Sequence, residues 1–341
     1  MEKTRLGRTG LEVTRTAFGV LPLQRVTREE AARILRRAYE AGITFYDTAR
    51  AYTDSEEKIG SALADVRDQV VIATKSGATT REGLLADLHT SLRALRTDYV
   101  DLLQLHNPAT VPDPNDRHSA YAGLLEARER GLVRFIGYTN HSRERAWQAV
   151  ASGLFDTLQF PLCAISTMED LALIGHCRAH DVGLIAMKPL SGGLLTNART
   201  AFAFLHQFEN VVPIWGIQRM EELEEILALD AHPPVLDAAT RAQIEADKAA
   251  LSGSFCRACG YCLPCPEEIP IPMAARMGLC LRRMPAEQFL TEEWREQMER
   301  IERCRECGEC RSRCPYGLDV PALLKRMLND YREVYAARVL S

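Results

Sequence analysis

A regular alternation of short apolar segments and amphipathic stretches between residues 15 and 229 constrains the fold more than any other feature of the sequence. The apolar segments are rich in β-branched and aromatic residues, and several are apolar at consecutive positions, as strands buried on both faces are. Eight segments of this kind are residues 15–20, 44–49, 70–75, 100–106, 134–140, 157–160, 183–188 and 211–217. Eight strand–helix units in succession predict an α/β fold, a closed (β/α)8 TIM barrel. An open doubly wound sheet is the alternative, but no strand is followed by G-x-G-x-x-G.

The alternation stops at residues 230–254, where a proline pair, an isolated helix and a Gly/Ser stretch predict a boundary. The remaining chain contains two cysteine-rich segments, a charged helix between them and a final amphipathic helix. We therefore expect two domains, a barrel over residues 1–250 and a small, mainly helical, ferredoxin-like domain over residues 251–341.

Composition and charge narrow the class of protein. The 341 residues are 46% hydrophobic and 26% charged, which is typical of a globular chain. The net charge of −4 gives no electrostatic reason to expect a nucleic acid as partner. No apolar run reaches the roughly 18 residues that a membrane span needs, and the polar, charged N-terminal segment is unlike a secretory signal. We therefore expect a cytoplasmic protein, whose cysteines are kept reduced.

Four polar residues lie at or just beyond the ends of predicted strands: Asp47, Tyr52, Lys75 and His106. Catalytic side chains of a barrel sit at the carboxyl ends of its strands, although each residue alone also fits a structural role. Together they fit carbonyl reduction, in which negative charge builds on the carbonyl oxygen and must be stabilised and then protonated. A tyrosine is too weak an acid unless a neighbouring cation lowers its pKa. Lys75, held by Asp47, would supply that cation, and His106 would orient the carbonyl.

The segments around these residues resemble the aldo-keto reductase family. GITFYDTARAYTDSEEKIG (42–60) is similar to the family's second strand and the loop after it, ATKS (73–76) to its third strand, and DYVDLLQLHNP (98–108) to its fourth. The resemblance extends over about residues 4–229 and includes all four candidate catalytic residues in order. It implies an NAD(P)H-dependent oxidoreductase that interconverts a carbonyl and an alcohol on a small molecule, with Tyr52 as the acid.

The same resemblance implies a nicotinamide cofactor at the strand ends. Thr139, Asn140 and Gln159 would hold the carboxamide, and Met187 stands where the family often has an aromatic residue against the nicotinamide. MKPLSGGLL (187–195) is similar to the family's pyrophosphate loop, in which glycines allow close approach of the backbone. The implied cofactor positions are Thr139, Asn140, Gln159, Met187, Pro189, Leu190, Gly193, Gly216 and Arg219.

The adenine end of the cofactor leaves two alternatives. The family commonly places basic residues after the last strand, where they neutralise the 2′-phosphate of NADP. Here Arg219 would bind that phosphate, whereas Glu222 or Glu225 would favour the bare ribose of NAD. The phosphate preference therefore stays open.

The last quarter of the chain carries two runs of cysteines. Their members are Cys256, Cys259, Cys262 and Cys265, followed by Pro266, and then Cys304, Cys307, Cys310 and Cys314, followed by Pro315. Three closely spaced cysteines followed by Cys-Pro are the bacterial ferredoxin signature, and they predict two [4Fe–4S] clusters. Two structural zinc sites, each held by four thiolates, are the rival interpretation, and disulfides fit a reducing compartment poorly.

Two-cluster ferredoxins, which these runs resemble, use the fourth cysteine of each run as a ligand of the other cluster. That resemblance pairs Cys265 with the first three cysteines of the second run, and Cys314 with the first three of the first run. The spacing before Cys265 departs from the usual pattern by one residue, so ligation within each run also stays open. A ferredoxin-tailed branch of the aldo-keto reductases has this same order of barrel and cysteine runs.

The role of the cysteine-rich tail, residues 251–341, stays open. Nicotinamide transfers a hydride, whereas a cluster passes single electrons, and no flavin motif is evident that would connect them. Either the clusters fold and dock the tail, or they provide a one-electron route to the barrel or to a partner protein. The second interpretation gives an alternative function, an iron–sulfur electron-transfer oxidoreductase whose barrel is served by a ferredoxin-type redox partner.

Overall fold

A computed structural model describes residues 1–193, 195–251, 256, 262–283, 285–314 and 317–339. The chain forms two compact units, Met1–Ile244 and Glu245–Ser341. Within the described residues, every strand belongs to the first unit and the second unit is mainly helical, as the sequence predicts.

An antiparallel hairpin, β1 (Lys3–Arg5) and β2 (Glu12–Thr14), precedes the barrel. Leu6, Leu11 and Val13 of this segment are buried in one apolar cluster with side chains from the barrel strands, among them Phe45 and Leu102. The sequence-based expectation began at residue 15 and did not include this hairpin, because two strands of three residues are too short to give a period-two pattern.

Eight parallel strands close the barrel, and β10 pairs with β3 to complete the ring. Their order around the barrel is the order of the chain, which confirms the predicted closed barrel. The strands are β3 (Ala17–Gly19), β4 (Phe45–Asp47), β5 (Val71–Ser76), β6 (Val100–His106), β7 (Val133–Thr139), β8 (Thr157–Pro161), β9 (Gly183–Met187) and β10 (Val211–Gly216).

One helix follows each barrel strand. These helices are α1 (Arg28–Glu40), α2 (Ser55–Leu63), α3 (Arg81–Leu95), α4 (Ala120–Glu129), α5 (Arg143–Ser152), α6 (Met168–Ala179), α7 (Ala198–His206) and α8 (Met220–Ala231). Polar caps fix several of their starts: the Thr27 hydroxyl accepts the Glu30 N–H at 3.2 Å, and Thr167 with Asp170 forms a reciprocal capping box. Such caps satisfy N–H groups that have no partner inside the helix.

The second unit packs short helices against a long one. They are α10 (Ile271–Ala274), α11 (Met277–Arg283), α12 (Glu292–Glu299), α13 (Glu309–Ser312) and α14 (Val320–Val339), and α9 (Ala238–Leu251) precedes them across the division between the units. Met277, Met298, Leu324 and Tyr331 lie in its buried core, where the Tyr331 hydroxyl donates to the Phe289 carbonyl at 2.9 Å. Among the described helices, none combines the length and the apolar character that crossing a bilayer requires.

Candidate functional site

A buried ion pair lies at the carboxyl ends of β4 and β5. Asp47 is the last residue of β4, and the Lys75 ammonium lies 2.6 Å from its Oδ1. The same ammonium donates to the Thr48 carbonyl, also at 2.6 Å. Both side chains are almost fully buried, so this contact is shielded from solvent.

Two glutamine side chains complete the surroundings of the Asp47 carboxylate. Gln104 Nε2 donates to Oδ2 at 3.3 Å, and Gln159 Nε2 donates to Oδ1 at 3.4 Å. Each glutamine keeps a buried side-chain oxygen for which the described residues provide no hydrogen-bond partner. Gln104 is not among the residues predicted from the sequence, although its position two residues before His106 on β6 places both side chains on one face of the strand.

Tyr52 and His106 lie beside this ion pair and are partly exposed. The two rings meet edge to face with centroids 5.7 Å apart, and Lys75 Nζ lies 5.2 Å from the centre of the Tyr52 ring. His106 is the last residue of β6, whereas Tyr52 comes from the loop between β4 and α2. The structure therefore brings together all four candidate catalytic residues.

Burial governs the protonation of this group. Desolvation raises the pKa of Tyr52; Lys75 opposes this rise and Asp47 adds to it. Burial also raises the pKa of Asp47, against Lys75 and the two glutamine amides. Desolvation, with Lys75, lowers the pKa of His106 to about 3. Lys75 thus lowers the pKa of Tyr52, as expected from the sequence, but desolvation raises it by more. Tyr52 therefore keeps its proton at pH 7, and His106 is neutral at that pH.

The residues assigned to the nicotinamide end lie on adjacent strand ends. Thr139 ends β7 and is paired with Gln159 on β8, and Met187 ends β9. The Asn140 side chain braces the protein itself, because its Nδ2 donates to the Pro108 carbonyl at 2.9 Å and its Oδ1 accepts the Ser142 N–H at 2.8 Å. Gln159 Oε1 and the buried Thr139 are thus the better placed of these polar groups to receive a ligand.

The loop after β9 has an unusual backbone. The φ angles are positive at Lys188 (60°), Ser191 (51°), Gly192 (72°) and Gly193 (92°), and Gly193 N–H bonds the Leu190 carbonyl at 2.8 Å. Left-handed residues in close succession turn N–H groups toward one side and form concave anion sites. Pro189 and Leu190 lie within this loop, whose Leu194 is outside the described residues.

Of the two residues predicted for the adenine end of a cofactor, Gly216 ends β10 and Arg219 precedes α8. The exposed Arg219 guanidinium pairs with Glu222 at 3.1 Å. Glu222 also accepts the N–H groups of Gln218 at 2.8 Å and Arg219 at 3.3 Å. A carboxylate therefore already lies against the N-terminus of α8.

Cysteines of both runs line one pocket in the second unit. Its thiols are those of Cys262, Cys265, Cys304, Cys307 and Cys310, and Ile269, Ile271 and Leu324 are apolar neighbours. Cys256 and Cys262 are buried and Cys307 is exposed, whereas Cys259 and Pro315 lie outside the described residues. In the described part, no three His, Cys, Asp or Glu side chains converge as a single metal ion would need.

An eight-stranded parallel barrel with Asp47, Tyr52, Lys75 and His106 together at its strand ends is the arrangement expected of a barrel oxidoreductase. The Aldo/keto reductase family matches residues 15–227, more than half of the sequence, and the chain belongs to that family. A 4Fe-4S dicluster domain matches residues 255–319. The two matches confirm both resemblances on which the sequence analysis relied.

The chain has distant relatives among the aldo-keto reductases. The aldo-keto reductase YhdN of Bacillus subtilis is 29% identical over 219 residues, covering 59% of this chain and 65% of its own length. This chain therefore spans about two thirds of that relative. An aldo-keto reductase of Bacillus halodurans in its holo form superposes with a TM-score of 0.64 at 21% identity, over 72% of this chain and 96% of that one. One from Klebsiella pneumoniae in complex with NADPH has a TM-score of 0.62 at 23% identity, over 72% and 94%. At these identities the two structures show the shared fold.

Proposed function

We propose that the chain is an NAD(P)H-dependent oxidoreductase that interconverts a carbonyl and an alcohol on a small molecule, with Tyr52 as the acid. The observation that carries this proposal is the row of contacts from Asp47 through Lys75 to Tyr52 and His106 at the carboxyl end of the barrel. A buried ammonium beside a tyrosine, next to a neutral imidazole, suits the protonation of a carbonyl oxygen that is gaining charge.

Each side chain then has one task. Tyr52 holds its proton at neutral pH and passes it to the substrate oxygen, and Lys75 stabilises the tyrosinate that remains. Asp47 keeps the Lys75 ammonium in place through their 2.6 Å contact. His106, with its pKa lowered to about 3, is neutral and offers one ring N–H to the same oxygen.

The residues at the strand ends fit a nicotinamide dinucleotide. Gln159 Oε1, which has no hydrogen-bond partner among the described residues, would accept an N–H of the carboxamide. The N–H groups of the left-handed loop at 188–193 would face the pyrophosphate. When bound, the nicotinamide supplies the hydride. Arg219 supports NADP, whereas Glu222 at the N-terminus of α8 supports NAD, so both cofactors belong in the assay.

For the tail we propose two [4Fe–4S] clusters with crosswise ligands. Cys265 of the first run lines the same pocket as Cys304, Cys307 and Cys310, which supports the crosswise pairing, whereas Cys262, a ligand of the other cluster in that scheme, lines the pocket too. Thiols spread around a pocket also suit a cluster better than one tetrahedral zinc ion. We place the tail in a separate domain over residues 251–341, and the protein in the cytoplasm, where thiols stay reduced.

One observation favours the alternative function, electron transfer with a ferredoxin-type partner. Cys307 is exposed, whereas the other cysteines of this pocket are buried or partly buried. A cluster bound there would have one edge open to a partner protein, and solvent exposure is among the factors that set a cluster's reduction potential.

The test of the main proposal is Tyr52→Phe, assayed without oxygen against a panel of small aldehydes and ketones with NADH and NADPH. We expect kcat to fall by about 10²–10⁴-fold, the usual contribution of a positioned proton donor, with cofactor binding unchanged. Tyr39→Phe is the matched control, because Tyr39 lies on α1 and donates to Gln69 at 2.6 Å, away from the strand ends. Wild-type rates in Tyr52→Phe would refute the assignment.

Anaerobic titration of the iron-replete protein separates the two functions. Bleaching of the clusters by NADH or NADPH, followed by visible absorbance and EPR, would mean that hydride and single electrons communicate. If only dithionite reduces them and turnover requires that reduction, the alternative function holds. In the same preparation, Cys265→Ser should lose the iron of one cluster, whereas Cys280→Ser, a buried cysteine outside both runs, should keep it. Full iron content in Cys265→Ser would refute its role as a ligand.

A further inference from the structure

A cavity of about 330 Å³ lies against α2 and α3 in the first unit, and it shares no residue with the catalytic group. Its size is within the range of small-molecule sites. The lining comes from four separate stretches of the chain: Arg28, Arg50, Glu57, Ser61, Thr90, Arg93, Ala94 and Arg96.

Four arginines line this cavity, and carboxylates neutralise only part of their positive charge. Arg28 forms an ion pair with Glu57, and Arg50 forms one with the buried Glu56. Arg93 donates to the Thr90 hydroxyl at 3.1 Å. For Arg93 and Arg96, the described parts of the chain supply no carboxylate partner. The cavity wall therefore carries an excess of positive charge.

Part of this wall is rigid before any ligand arrives. Glu56, which is 1% exposed, accepts the Thr74 hydroxyl at 2.6 Å and also holds Arg50. Gly60 lets α2 approach α3 closely, because a Cβ there would lie 2.3 Å from the Ala94 carbonyl oxygen. Both features fix the wall without drawing on the groups that a ligand would contact.

Helix stability does not account for all four arginines. Cations are favourable at a helix C-terminus, which suits Arg93 and Arg96 at the end of α3. Arg28, however, is the first residue of α1, where a positive charge is unfavourable. Helix ends therefore favour Arg93 and Arg96, whereas Arg28 and Arg50 are held by Glu57 and Glu56, and all four arginines line one cavity.

We propose that this cavity binds a small, multiply charged anion of the phosphate class, such as a phosphorylated metabolite. Guanidinium groups match phosphate oxygens with two parallel hydrogen bonds. Arg93 and Arg96, for which the described residues supply no carboxylate, carry the excess charge, and the Ser61 hydroxyl is a further donor on the same wall. The Thr90 hydroxyl already donates to the Ala86 carbonyl at 3.0 Å. The ion pairs of Arg28 and Arg50 stay in place and define the opposite side.

The cavity is connected to the predicted catalytic residues through Arg50. Arg50 lies two residues before Tyr52 in the loop after β4, and its N–H bonds the Lys75 carbonyl at 3.0 Å. An anion bound by Arg93 and Arg96 would therefore lie opposite Arg50, beside the loop that carries Tyr52. The link to catalysis rests on the proposed function, whereas the binding itself does not.

The experiment is isothermal titration calorimetry of the iron-replete full chain with sodium tripolyphosphate, at low and high NaCl. We expect binding that weakens with salt because the ion pairs are screened. Arg93→Gln and Arg96→Gln should each weaken binding by about tenfold, the value of one charge-assisted contact. Arg178→Gln is the matched control, since this exposed arginine lies on α6 and donates to Asn210 at 3.1 Å; its affinity should equal that of the wild type.

The outcomes separate the two proposals. Equal affinity in Arg93→Gln, Arg96→Gln and the wild type would place the anion elsewhere, for example at the loop 188–193, and would overturn this site. No heat of binding at any salt concentration would overturn it too. Binding that depends on these arginines while Tyr52→Phe retains full activity would keep the anion site and refute only the proposed chemistry.

Discussion

The ion pair between Asp47 and Lys75 makes a quantitative prediction for Lys75→Met. The two side chains are 3% and 1% exposed, and the substitution removes both hydrogen bonds of the ammonium while leaving Asp47 buried. Only the two longer glutamine contacts would remain on the carboxylate. Breaking one side of a buried pair costs about 3–5 kcal/mol, and we expect that loss in the free energy of unfolding of the first unit.

Lys58→Met is the matched control because Lys58 is as buried as Lys75. Its side chain is 2% exposed and bonds the Leu23 carbonyl at 2.8 Å and Asp54 at 2.9 Å, but Asp54 is 35% exposed and stays hydrated after the change. We therefore expect a smaller cost, about 1–2 kcal/mol. Urea unfolding would be followed by tryptophan fluorescence in a Trp294→Phe background, so that Trp147 and Trp215 of the first unit report.

The pH dependence gives the second half of this prediction. Burial raises the pKa of Asp47, and removal of Lys75 removes a group that opposes the rise. A carboxyl group whose pKa is higher in the folded state binds its proton more tightly there, so its contribution to stability is lost as the pH rises through that folded pKa. The cost of Lys75→Met should thus be larger at pH 8 than at pH 5. A cost no greater than that of Lys58→Met, with no pH dependence, would refute the reasoning.

Two further predictions concern packing and protonation. Gly60→Ala should destabilise the first unit by about 1–3 kcal/mol, because the new methyl group meets the backbone of α3. A methyl group at Gly175 on α6 meets none of the described residues within 4 Å, so Gly175→Ala should stabilise the unit by up to about 1 kcal/mol. Equal urea midpoints for the two variants would contradict this. The pKa of His106 falls to about 3 in the folded protein, so the unfolded chain takes up the extra proton and stability decreases as the pH drops below ~6.5. His106→Gln should therefore lose less stability than the wild type between pH 7 and pH 5, and an equal loss would show that His106 is not desolvated.

The sequence predicted the barrel because its signals are local. Period and composition mark each strand, and the rule that catalytic residues follow strand ends selects Asp47, Lys75 and His106 without knowledge of their contacts. The contacts themselves needed the structure. Asn140 was predicted to hold a carboxamide, yet its amide is bonded to Pro108 and Ser142, which no local pattern indicates.

The protonation of Tyr52 could not be predicted for a related reason. The cation effect of Lys75 follows from the motif, but its competitor is desolvation, which depends on everything that covers the hydroxyl. The sequence identifies Lys75 as the neighbour of Tyr52, but it does not give the extent to which the Tyr52 hydroxyl is buried. The direction expected for Lys75 was therefore right, and the net direction of the pKa shift was not available from the motif.

The neighbouring residues Glu56 and Glu57, beside the arginine-lined cavity, show what the helical period can and cannot predict. Ile59 and Leu63 are buried, and Glu56 lies three and seven positions before them, so helical period alone places it on the inner face of α2 and Glu57 outside. A buried carboxylate needs a hydrogen-bond donor or a cation, so the sequence predicts that Glu56 has such a partner. It does not identify Arg50 and Thr74 as those partners, since they come from a loop and from another strand. Arg50 is held against Glu56, whereas for Arg93 and Arg96 at the end of α3 the described residues supply no carboxylate.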